Sequence, residues 1–66
     1  MKMRLFDNQS GHYLAKFEAD AVPQPGNYVS LPLAHYRVTA VRFQANGVVD
    51  LAVSPVAQLP PTLAED

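Results

Sequence analysis

Apolar and polar residues alternate with a period of two along most of the chain, which is the spacing of half-buried β-strands. In the first run, Met3 and Leu5 share one face while Lys2, Arg4 and Phe6 share the other. In the second, His12 to Glu18, the residues Tyr13, Ala15 and Phe17 form an apolar face. His12, Leu14, Lys16 and Glu18 form a mixed one. Asp7-Asn8-Gln9-Ser10-Gly11 lies between the runs and is built of turn formers, so the pair is predicted to be a β-hairpin.

Pro25-Gly26 suits the two central positions of a type II turn, because Pro presets φ and Gly tolerates positive φ. Tyr28 to Leu31 alternates again, with Val29 and Leu31 inward, and Pro32 is expected to end that strand. Leu33-Ala34-His35 is expected to be a short connection.

Tyr36 to Phe43 is the longest strand candidate. Tyr36 and Val38 keep one phase, whereas Val41 and Phe43 keep the other. An extra residue in a β-bulge would produce such a change, and the bulge is expected near Thr39-Ala40. Asn46-Gly47 is a strong hairpin signal. Val48 to Val53 forms the last strand, with Val49, Leu51 and Val53 inward and Asp50 outward. Pro55 is expected to stop it. Val56 to Leu59 suits one helical turn, Pro60-Pro61 imposes an extended conformation on Leu59 and Pro60, and Thr62 to Asp66 suits a frayed end.

The expected fold is therefore all-β: a small, partly open barrel of five strands, built from antiparallel hairpins, with a bulge in the fourth strand. Residues 1–54 form the barrel domain and residues 55–66 a proline-containing tail. The run Pro23-x-x-Gly26-x-x-Val29-x-Leu31, then Tyr36-x-Val38-x-x-Val41, then Asn46-Gly47 and a Val-rich strand, resembles SH3-like small β-barrels. The Tudor-like and KOW-like variants are included in that resemblance. It covers about residues 22–54, and Asn27 stands where such barrels usually carry an acidic residue after the turn glycine. The resemblance implies a domain that binds peptides, modified side chains or nucleic acid, or one that only oligomerises.

Composition narrows the function. The chain has 66 residues, 48% of them hydrophobic and 17% charged, which excludes a disordered segment. No apolar run approaches the ~18 residues of a membrane span, and no signal-peptide pattern is present. There is no cysteine, so disulfides and thiolate chemistry are excluded and a reducing cytoplasm fits. A core this small seldom supplies more than ~3–5 kcal/mol on its own, so self-association is expected.

Catalysis finds little support. Ser10, Ser30 and Ser54 stand in no nucleophile motif, the acids are scattered, and the glycines lie too far apart for a phosphate loop. His12 and His35 match no metal-ligand spacing, so neither a metal nor a cofactor is expected. The reading is a non-catalytic, cytoplasmic interaction module whose partner is another protein or a second copy of itself, with no membrane contact.

Two surfaces are candidates. The outward face of the first hairpin would offer Phe6 and Leu14 as buried anchors of an interface. The second surface comprises Tyr28, His35, Tyr36 and Arg37 near the Pro32 loop. The alternative is a nucleic-acid-binding barrel using Lys2, Arg4, Lys16 and Arg42, with Arg37 beside them and Phe6 for base stacking. A net charge of −1 weighs against it, since nucleic-acid-binding domains are usually strongly basic.

Overall fold

The computed structural model describes residues 1–64 and is an all-β half-barrel. Its strands are β1 (Lys2–Asp7), β2 (Tyr13–Glu18), β3 (Tyr28–Leu31), β4 (Ala34–Phe43) and β5 (Val49–Val56), followed by a single helical turn, α1 (Pro61–Ala64). They form one sheet in the order β2-β1-β5-β4-β3. The β1–β2, β3–β4 and β4–β5 ladders are antiparallel, as hairpin turns require. β1 and β5 run parallel, which makes the sheet mixed and joins the first hairpin to the β3-β4-β5 meander.

The turns follow their residues. Gly26 has φ +95°, and Asn27 N–H donates to the Gln24 carbonyl at 2.9 Å across Pro25-Gly26. The Asn27 side chain closes the same turn by accepting from Gln24 N–H at 2.7 Å. Pro32 ends β3, and Pro32-Leu33 alone makes the next turn. His35 thus lies inside β4 rather than in a connection.

The core consists of Met3 and Leu5 from β1, Val38 from β4, and Val49, Leu51 and Val53 from β5, all at most 1% exposed. Burying each such side chain contributes roughly 1.5–3 kcal/mol. The parallel register sets Met3 beside Val49 and Leu5 beside Leu51, so the two central strands share one apolar face. Phe17, Ala19, Val22, Val29, Leu31, Tyr36 and Val41 pack around it, as does Leu14.

Two register shifts decide which side chains face out. On β2, Leu5 pairs with Ala15 but Phe6 pairs with Tyr13, leaving Leu14 as an extra residue. Tyr13, expected inward, is 53% exposed beside Phe6, and Leu14, expected outward, packs against the core. On β4, Val38 pairs with Val53 and Ala40 with Ala52, so the register shifts across Thr39. Val38 and Val41 consequently both reach the core side although they are three positions apart.

The C-terminal end departs from expectation. β5 continues through Pro55 to Val56, because beyond Val53 only β4 lies beside it and proline is tolerated at an edge. The helical turn forms at Pro61–Ala64 rather than at residues 56–59, with Pro61 at its first position, where a missing N–H costs nothing. The end expected to fray, Thr62 to Asp66, is instead helical through Ala64, and its last two residues lie outside the described residues. Among the described residues no helix is long and apolar enough to cross a membrane.

Candidate functional site

The outer face of the three central strands carries two adjacent rows of side chains. The first row is Arg4, Asp50 and Arg42, which are direct cross-strand neighbours on β1, β5 and β4. Arg4 donates from Nε to Asp50 Oδ1 at 2.8 Å and from Nη2 to Oδ2 at 3.1 Å. Arg42 Nη2 donates to Oδ2 at 2.5 Å, and Gln44 Nε2 to the same oxygen at 2.6 Å. These donors cover the carboxylate, leaving Asp50 only 5% exposed although it sits on the outer phase of β5.

The Arg4 hydrogen bonds hold the Asp50 carboxyl well below the usual carboxylate range against the opposing pull of desolvation, with Arg42 and Gln44 adding to them. The same pairing raises the Arg4 guanidinium above its ordinary value. With two guanidinium groups and one carboxylate, the cluster carries a net charge of 2 − 1 = +1.

The second row is Phe6, Ala52 and Ala40 on the same strands, extended by Tyr13 on β2. The two alanines leave a cleft of about 340 Å³, whose walls include Phe6 and Arg42 and whose rim includes Asp7, Asn8 and Gly11. Phe6 is held from two sides. Its ring meets Tyr13 edge-on at 5.8 Å and 69°, and the Arg4 guanidinium lies 5.2 Å from its centroid. The rim is shaped by Asp7, whose Oδ1 accepts from Gln9 N–H at 2.8 Å and Ser10 N–H at 3.0 Å. Those backbone donors, Ser10 first, hold the Asp7 carboxyl below its ordinary value.

The residues singled out from sequence fall in different places. Phe6 lines the cleft. Leu14 and Tyr36 lie instead at the open seam of the half-barrel, around a depression shared with Leu31 and Pro32. Tyr28 lies on the β3 edge, beside Val22, Pro23 and Leu63. The His35 ring places Nδ1 2.8 Å from Ser30 Oγ across the β3–β4 ladder, and Arg37 is exposed. Lys2 and Lys16 are exposed near Glu18, whereas Arg4 and Arg42 are committed to Asp50.

Asp50, Gln44, Tyr13, Ala40 and Ala52 complete the arrangement and were not singled out from sequence. One signal existed: a lone acid amid the apolar run Val48 to Val53 needs a partner if it is covered. Among the described residues no group of three or more His, Asp or Glu could hold a metal ion. No protein family matches the chain, and neither a curated protein nor a solved structure does.

Proposed function

We propose that the chain is a small, non-catalytic, cytoplasmic interaction module that binds a protein partner through the outer-face cleft and also associates with a second copy of itself. The observation that carries the reading is the pairing of an apolar cleft with a cluster of single positive charge. An apolar side chain of the partner would sit over Ala40 and Ala52 against Phe6. An acidic group beside it would meet Arg42, whose side chain remains 73% exposed despite its bond to Asp50. Aromatic and arginine side chains at such a site are the residue types that dominate binding energy. Asp50 is held charged by three donor side chains, so its role is to position the two arginines rather than to transfer a proton.

The test is capture from the native host with the wild-type chain and with Ala52→Leu, which fills the cleft without disturbing the core face. A protein retained by the wild type and lost with Ala52→Leu supports the reading. A protein retained equally by both moves the binding surface off the cleft. Nuclease-sensitive material released by salt would instead favour the nucleic-acid alternative on Lys2, Arg4, Lys16 and Arg42. That alternative is weakened by Asp50, which engages two of the chain's five Lys and Arg residues.

A further inference from the structure

We propose that two copies of the chain pair antiparallel along the free edge of β2, with Lys16 of each copy facing Glu18 of the other. The inference deepens the self-association half of the proposed function and rests on it.

Among the described residues, β2 ends the sheet and has only β1 beside it. The backbone parity of this edge follows from one pair. The Met1 amine donates to the Ala19 carbonyl at 2.9 Å, and Ala19 N–H donates to the Met1 carbonyl at 3.1 Å. Bonded and non-bonded pairs alternate along an antiparallel ladder. Met3–Phe17 and Leu5–Ala15 are therefore bonded pairs, while Lys2–Glu18 and Arg4–Lys16 are non-bonded ones. The N–H and C=O groups of Lys16 and Glu18 consequently point away from β1. Unpaired edge groups of this kind are a template for another strand.

A two-fold antiparallel pairing of this stretch must bring such residues opposite one another. Three registers satisfy the parity: Lys16 on Lys16, Glu18 on Glu18, or Lys16 on Glu18. The first two set like charges directly opposite, which destabilises a strand pair. The third sets opposite charges together twice, by symmetry, and adds four backbone hydrogen bonds. It also places Phe17 on the two-fold axis facing its own copy, in a non-bonded pair where side chains approach most closely. Phe17 is half-buried and packs on the core face, so the two half-barrel cores would meet there. The other sheet edge is a poorer template. β3 has four residues, Tyr28–Leu31, and no charge to select a register.

Charge reversal reads both the edge and the register. The proteins are wild type, Lys16→Glu, Glu18→Lys and an equimolar mixture of the two variants, each followed by analytical ultracentrifugation and by circular dichroism to verify folding. The wild type is expected to dimerise, and each variant alone to dimerise about tenfold more weakly, because both symmetric pairs become like-charged. The mixture is expected to recover wild-type affinity as a heterodimer, since one copy then carries two acids and the other two lysines. Amide exchange supplies a second readout: the Lys16 and Glu18 amides should gain protection with concentration.

A wild-type dimer that neither variant weakens, or a mixture that fails to recover, overturns the β2 pairing and leaves self-association through another surface. A wild type that stays monomeric at millimolar concentration overturns both. Protein capture by the cleft is judged separately by Ala52→Leu.

Discussion

Arg4 and Asp50 stand 46 residues apart in the chain and side by side in the sheet, where the guanidinium bonds both carboxylate oxygens. This bidentate pair spans the parallel ladder between β1 and β5, the junction at which the first hairpin meets the rest of the fold. A fork-on-fork contact fixes direction as well as distance. It therefore reinforces the register that sets Leu5 against Leu51. A one-residue slip would turn Asp50 toward the core and Leu51 toward solvent.

Removing the acceptor should be costly. Asp50→Ala leaves Arg4, Arg42 and Gln44 without their shared partner and is expected to lower stability by about 2–3 kcal/mol. Asp50→Asn keeps an amide oxygen for one donor and should lose about half as much. Urea denaturation measures both, and an Asp50→Ala variant as stable as the wild type would show that the cluster does not hold the junction.

Acid should unfold the chain through the same residue. The folded carboxyl binds its proton only well below the usual range, whereas in the unfolded chain it titrates near its ordinary value of ~3.9. Below that value the unfolded state holds more protons, so stability falls as pH falls. Full stability is expected above about pH 5, with progressive loss below about pH 4. Asp7, also lowered, contributes with the same sign. Thermal melts between pH 6 and pH 2 should show the loss, and Asp50→Asn should remove most of it. An unchanged slope in that variant would assign the acid sensitivity to other carboxylates.

The β2 register shift has its own signature. Leu14 packs on the core, whereas Tyr13 lies on the outer face against Phe6. Leu14→Ala is expected to cost about 1–2 kcal/mol, and Tyr13→Ala only ~0.5–1. Strict alternation would give the opposite order, so equilibrium unfolding of the pair distinguishes them.

Gly26 is held at φ +95° with nothing within 4 Å of the position a Cβ would take. Gly26→Ala should therefore cost about 1–2 kcal/mol from backbone conformation alone. Pro25→Ala beside it should cost about 1 kcal/mol or less, because only the unfolded chain gains freedom. A fully neutral Gly26→Ala would mean that the turn relaxes to another type.

The elements themselves were legible because their signals are local. The alternation of Met3 and Leu5 and of Val49, Leu51 and Val53 identified the inner faces that the structure buries. Pro25-Gly26 and Asn46-Gly47 stand where the chain reverses. The candidate site was harder to read. Phe6 was recognised, but its neighbours Ala40 and Ala52 matter only because two strands set them side by side beside it. Lys2, Arg4, Lys16 and Arg42 read as one basic group until Asp50 is found to engage Arg4 and Arg42.

By itself the sequence determined that this chain is a set of short strands separated by specific turns, with a single apolar face on β1 and on β5. Side-chain period and turn chemistry act over a few residues, so they survive in the linear order. Only the tertiary structure decided that β1 lies parallel to β5, that Asp50 is covered by arginines from two strands, and that Leu14 rather than Tyr13 faces the core. Each of these depends on which strand lies next to which and in what register. That is settled by the joint burial of residues distant in the chain, about which local alternation carries no information.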